Sequence, residues 1–172
     1  MRKTKKLIFL GLMIAYSLIL HLVESTMPGL HFIAPGAKLG LTNIITVVLL
    51  YSVSRKEAFT VLLMRILLGS VFAGSFSSFL YSLSGGVFSF MTMVLMQNLE
   101  KYEISILGVS VMGALAFNIG QLIMAGLIIR NMSIIVYFPA MAAVSVATGT
   151  FVGLVANFLL QRDLFRIGGM RI

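Results

Sequence analysis

Long apolar runs, separated by short breaks that are charged or rich in Gly and Pro, dominate the chain. A helix that crosses a membrane needs about 20 apolar residues, within a range of roughly 17–25. The breaks predict six such segments. The first covers Leu7–Val23 and stops at Glu24. The second covers Gly36–Val53 and stops before Arg55-Lys56-Glu57. The third, Ala58–Leu80, carries Arg65 inside it, and the fourth, Leu83–Leu99, is set off by a break at Ser84-Gly85-Gly86. The fifth, Ile104–Ile129, ends at Arg130-Asn131, and the sixth, Met132–Leu160, has Pro139 near its start. Segments two and four are short for a full crossing and are expected to tilt little or to be partly re-entrant. No separate soluble domain, linker or repeat of 20–50 residues is visible. The pattern predicts an all-α, polytopic membrane protein, with residues 1–172 forming one bundle of six transmembrane helices.

The basic residues test this division. With the N-terminus in the cytoplasm, the inner stretches hold ten: Arg2, Lys3, Lys5, Lys6, Arg55, Lys56, Lys101, Arg162, Arg166 and Arg171. The outer stretches hold only Lys38 and Arg130, and Arg65 lies within a span. That asymmetry follows the positive-inside rule for six spans with both termini cytoplasmic. An odd number of spans would place the three C-terminal arginines outside. The first segment resembles a signal peptide in its basic start, Arg2 to Lys6. Its apolar run is long, however, and no clear small-x-small cleavage site follows, so it is expected to be kept as a helix.

Composition sharpens the class. Hydrophobic residues make up 59% of the chain and charged ones 10%, with a mean hydropathy of +1.06. Soluble domains are nearer 45–50% apolar and about 25% charged, so a soluble enzyme and a disordered tail are both excluded. The formal charge of +8 is accounted for by topology and by contact with anionic headgroups. No basic patch interleaved with exposed aromatics suggests a nucleic-acid partner. Cysteine is absent, which removes disulfides, thiolate nucleophiles and Cys-ligated zinc. No metal is expected from two histidines lacking a nearby carboxylate pair, and nothing calls for a cofactor.

Polar residues inside a bilayer cost free energy, so each asks for a reason. His21 and Glu24 end the first segment, His31 lies in the first outer loop, and Lys38 and Asn43 stand at the start of the second. Asn43 lies about 7 Å along a helix from Lys38 at 1.5 Å per residue. Asn118 and Gln121, three residues apart, share one face of the fifth segment. Glu24, His31, Lys38, Asn43, Asn118 and Gln121 are therefore the candidate substrate-binding residues, converging on a pocket open to the outside. Pro35 and Gly36 suit a helix start, whose free N–H groups favour an anion. Lys38 in that first turn opposes the helix dipole. It either holds an anionic substrate group, pairs with Glu24, or extends to the headgroups. Arg65 has several possible partners: it can reach inward, pair with Glu57 or Glu100, bind the carbonyls of a broken helix, or touch substrate. Asn118 and Gln121 can equally be interhelical hydrogen-bond glue. The Met and Phe residues are expected in the core and against lipid.

Small residues at four-residue spacing mark close helix approaches: Gly11 and Ala15, Gly69 and Ala73, Ala116 and Gly120, Gly149 and Gly153. Gly11 and Ala15 lie in the inner half of the first segment, where they can face a partner rather than the bundle.

Several runs resemble one known family in order and spacing across nearly the whole chain. They are Glu24…Pro28…Pro35-Gly36-Ala37-Lys38-Leu39-Gly40-Leu41-Thr42-Asn43-Ile44, Arg65-Ile66-Leu67-Leu68-Gly69-Ser70, Ser82-Leu83-Ser84-Gly85-Gly86, Gly108-Val109-Ser110-Val111-Met112-Gly113-Ala114 and Phe117-Asn118-Ile119-Gly120-Gln121. The family is the membrane family labelled heptaprenyl diphosphate synthase component I or Gx transporter. Phe117 stands where its pattern has His. The family is in turn similar to the substrate-binding S components of energy-coupling factor transporters. That similarity implies six helices and a pocket open to the outside of a bacterial cell membrane. It also implies uptake of a small nutrient or cofactor precursor, which Lys38 and His31 lean toward the anionic and Glu24 does not. The implied partners are a transmembrane coupling subunit, docked on Gly11 and Ala15, and ATPase subunits. No G-x-x-x-x-G-K-[ST] occurs in this chain, so it is not itself the ATPase. The alternative is a non-catalytic accessory subunit of a polyprenyl diphosphate synthase. Clustered aspartates would be needed to hold Mg²⁺-diphosphate, and Asp163 is the sole aspartate. An enzyme acting alone is therefore not expected.

Overall fold

The computed structural model describes residues 3–26, 39–73, 76–99 and 104–162. These residues form six α-helices: α1 (Lys3–Thr26), α2 (Asn43–Ser52), α3 (Arg55–Ala73), α4 (Phe76–Asn98), α5 (Ile106–Ile129) and α6 (Phe138–Gln161). A 3-10 helix, Met132–Tyr137, leads into α6, and no strand occurs among the described residues. Four stretches are long and apolar enough to cross a membrane: Lys3–Glu24, Phe76–Asn98, Ile106–Ile129 and Met132–Gln161. The chain is thus an all-helical membrane protein. α2 is a shorter apolar helix, and α3 begins on Arg55-Lys56-Glu57 and carries Arg65.

The helices close on one another as a ring. α1 packs mainly on α3, α3 on α4, α4 on α5, α5 on α6, and α2 returns against α6 and α3. α2 is buried from Asn43 to Leu50, the state of a helix that is apolar all round. Its Val47, Val48 and Leu49 meet Met13 of α1, Leu62 of α3, Met93 of α4 and Ala156 of α6 in the main core. Outward positions are apolar too: Leu7, Leu12 and Tyr16 on α1, Val71 and Phe72 on α3, Phe151 and Leu154 on α6 are all exposed. Lipid is as apolar as leucine, so helices in a membrane associate by close packing rather than by escape from water.

Glycines deliver that packing between α4, α5 and α6. A Cβ on Gly149 would stand 2.7 Å from Val111 Cα, and one on Gly120 would stand 2.8 Å from the Ser84 carbonyl oxygen. The expected break at Ser84-Gly85-Gly86 does not exist. α4 runs through it, and the change of helix comes between Ala73 and Phe76. Gly85 lies against the Phe117 carbonyl and Gly86 against Ile66 Cδ1, where a Cβ would approach to 2.9 Å and 3.0 Å. Glycine inside a helix costs about 1 kcal/mol relative to alanine. Here that loss is offset by two helices meeting backbone to backbone.

The second segment also differs from expectation. The described helix starts at Asn43, after Gly40 in the left-handed region (φ 81°) and a turn at Leu41–Thr42. Asn43, not Lys38, therefore heads α2. The other boundaries have local causes. Ser54 donates from its backbone N–H (3.1 Å) and its hydroxyl (2.8 Å) to Glu57, at the start of α3, as in a capping box. Glu57 also pairs with Lys6, tying α1 to α3 at the end where α1 begins. Ser105 Oγ accepts the Gly108 N–H (3.2 Å) to cap α5, and Pro139 sits in the first turn of α6, where its missing N–H is not needed.

Candidate functional site

At the opposite end of the bundle, where α1 finishes, buried polar side chains from three elements meet. Glu24 on the last turns of α1, Asn43 at the head of α2 and Arg65 in the middle of α3 are 6%, 2% and 6% exposed. The geometry follows from the chain path. Gly40 turns the backbone into α2, and its N–H donates to Glu24 Oε1. One turn later Asn43 Oδ1 accepts a hydrogen bond from Arg65 Nη2 at 3.1 Å. Glu24 acts electrostatically on Arg65 as well. Of the partners weighed for Arg65 in the sequence, Glu57 is engaged with Lys6 instead, and Glu100 lies outside the described residues.

Gly40 is required here twice over. Its φ of 81° is one that side chains rarely adopt, and a Cβ would lie 3.1 Å from Asn43 Nδ2 and 3.5 Å from the Phe117 ring. Gly69 admits the His21 ring, which would stand 3.1 Å from a Cβ there. Together His21, Thr42, Arg65, Ile66, Ser82 and Phe117 line a cavity of about 20 Å³. Two donors of this cluster, Arg65 Nη1 and Asn43 Nδ2, have no hydrogen-bond partner.

Asn118 lies elsewhere. Its Nδ2 donates to Ser145 Oγ at 2.6 Å and to the Met141 carbonyl at 3.4 Å, and Ser145 Oγ donates to the same carbonyl at 2.7 Å. This ties α5 to α6. Gln121, one turn on, is 2% exposed on the same helix. The expected convergence of six residues therefore divides: Glu24 and Asn43 both act on Arg65, while Asn118 joins α6. His31 and Lys38 lie outside the described residues. Sequence reasoning singled out Arg65 as the one basic residue deep in a span without placing it in the site. It gave no signal for Thr42, Ser82 or Phe117 as cavity walls, because none is costly in a bilayer.

Gly11 and Ala15 are exposed on α1, and a Cβ on Gly11 would meet nothing within 4 Å. They share the outward face with Leu7, Leu12 and Tyr16. Gly69, Gly120, Gly149 and Gly153, by contrast, each face another helix at close range.

No curated protein matches the chain, and no solved structure does. The sequence model of one family matches residues 13–159, from the middle of α1 almost to the end of α6. With so much of the bundle matched, the chain belongs to the heptaprenyl diphosphate synthase component I family.

Proposed function

We propose that the chain is the solute-binding membrane subunit of an uptake transporter of the energy-coupling factor type, taking in a small nutrient or cofactor precursor. The observation that carries this reading is the Glu24–Asn43–Arg65 cluster. Charged groups are costly in a bilayer and are kept where they bind or carry something, and this cluster is buried beside a cavity with two donors unspent. The distribution of basic residues puts that end of the bundle outside, with both termini in the cytoplasm. The exposed Gly11 and Ala15 offer α1 as a docking face for a transmembrane coupling subunit, with ATPase subunits supplying the energy.

Affinity capture of the tagged chain from its own membranes tests this. The coupling and ATPase subunits are expected to come with the wild type. They should be lost in Gly11→Leu and Ala15→Leu, both of which should keep a native unfolding temperature.

The family's description favours a second reading, an accessory membrane subunit of a polyprenyl diphosphate synthase. With Asp163 as the sole aspartate, the chain would serve there without catalysis. Capture of a soluble prenyl synthase, with product length or rate changed by the membrane subunit, would establish this reading and displace the first.

A further inference from the structure

The end of the bundle where α1 begins carries positive charge that its own contacts leave unspent. Lys6 pairs with Glu57, which sets the first turn of α1 beside the first turn of α3. Lys3 and Lys5 lie within one turn of that pair on α1, and Arg55 and Lys56 within one turn of it on α3. All four are exposed, and none takes part in an ion pair among the described residues. Glu57 is the sole carboxylate in these two turns, and Lys6 and Ser54 already engage it. Arg162, at the end of α6, differs: its guanidinium lies over the Phe158 ring, 5.0 Å from the centroid. Three further acidic residues, Glu100, Glu103 and Asp163, follow α4 and α6 in the chain and lie outside the described residues.

Four unpaired cations on two joined helices attract an anion, and what adjoins them says which kind. Lys5, Ile8 and Leu12 recur at helical spacing on α1, all exposed. Lys56, Thr60 and Met64 do the same on α3, and Leu67 and Leu68 continue the exposed face. On each helix a basic residue therefore heads a stripe that turns apolar. A nucleotide or an acidic soluble protein would use the cations and leave the stripes bare. A phospholipid matches both, with phosphate at the level of the basic residues and acyl chains along the apolar ones. α1 is also the span with least support from the bundle. Only 22% of its apolar window is buried, against 33% to 56% in the other three spans, and it packs mainly on α3.

We infer that the joined first turns of α1 and α3 form a docking surface for an anionic phospholipid, its phosphate held by Lys3, Lys5, Arg55 and Lys56 and its acyl chains laid on the stripes that follow. Such a lipid bridges α1 to α3 beside the Lys6–Glu57 pair. The contact of a basic rim with headgroups in general is spread over all its charges, whereas this surface is confined to two helices. The inference is independent of the transport reading and holds equally for an accessory subunit.

Phosphatidylglycerol and phosphatidylcholine with identical acyl chains form the test pair, since both carry a phosphate and they differ in net charge. The purified full chain is mixed with equal amounts of the two in an uncharged detergent, and native mass spectrometry reads which stays bound. Phosphatidylglycerol is expected to be retained in preference. Lys5→Gln combined with Lys56→Gln should weaken its retention about 25-fold, at roughly fivefold for each charge removed. Lys3→Gln combined with Arg55→Gln should act alike, and keeps the test decisive if the first pair does not fold. Arg162→Gln should leave retention unchanged. Equal retention of the two lipids overturns the inference, and so does phosphatidylglycerol held by either folded double variant as firmly as by the wild type. A loss in Arg162→Gln as large as in the double variants overturns it too, the attraction then belonging to the whole rim. Glycerol phosphate supplies the anion without the chains; its retention as firmly as the lipid would reveal a site for a free anion and overturn the lipid assignment. A wild type that keeps neither lipid overturns it as well.

Discussion

Two polar clusters lie buried in this bundle, and they are built to different ends. Around Asn118 the carboxamide nitrogen, the Ser145 hydroxyl and the Met141 carbonyl form a set of hydrogen bonds between α5 and α6, with the carboxamide oxygen left without a partner. Gly149 brings those two helices almost into backbone contact. Around Arg65 the helices stand far enough apart to leave a cavity, and two donors remain unspent. The same residue type, asparagine, is glue in one place and part of a charged cluster in the other. What separates them is the neighbouring residue: beside Asn118 a serine hydroxyl takes up the amide nitrogen and links two helices, whereas beside Asn43 a guanidinium with five donors cannot be satisfied by one amide oxygen.

The largest effects should come from unbalancing the charged cluster. Arg65→Met or Glu24→Gln alone leaves a buried charge uncompensated and should cost about 3–5 kcal/mol in detergent unfolding. The double variant should recover part of that loss, and simple additivity would show that the two charges are not coupled. Next comes the packed side of the comparison. Gly149→Ala forces a Cβ toward Val111 Cα and should cost about 1–3 kcal/mol by the same measurement. An unchanged midpoint would mean that α5 and α6 can part without penalty. Asn118→Ala and Ser145→Ala should show a coupling of about 0.6 kcal/mol and no more than about 1.7 in a double-mutant cycle, the range for hydrogen bonds between membrane helices. Loss of solute binding in Asn118→Ala, with Arg65→Met still binding, would invert the roles assigned to the two clusters. The smallest stability effect is expected at Gly11→Ala, within about 0.5 kcal/mol, because the new methyl group meets open space.

The helices themselves were largely legible in the sequence. α1, α5 and the Met132–Gln161 run fall close to their apolar segments, since chain stretches that avoid charge must be those that meet lipid. The third and fourth segments were misdivided because glycine carries two meanings. Next to polar loop residues it marks a turn, whereas inside a membrane helix it marks a close neighbour, and Gly85 and Gly86 are of the second kind. α2 was placed too early for a related reason. Pro35 and Gly36 suit a helix start, but Gly40 in a left-handed conformation ends any run before Asn43.

The site was half legible. Glu24 and Asn43 stood out as polar residues at segment ends, and both act on Arg65. Their partner Arg65 was visible as a cost without a visible recipient, because a partner 22 residues away depends on how α2 lies across α3. Asn118 and Gln121 were correctly given one helix face, but periodicity does not say which neighbour that face meets.

The sequence by itself determined the solvent of this protein and its number of helices. These follow from composition and spacing, which are properties of each segment alone. Only the tertiary structure decided that Arg65 finds Asn43 and Glu24, that Asn118 turns to α6 instead, and that a cavity survives beside one cluster. Those outcomes depend on the distances between helices. In a bilayer such distances are set by small residues and hydrogen bonds between segments, not by the apolarity of either one.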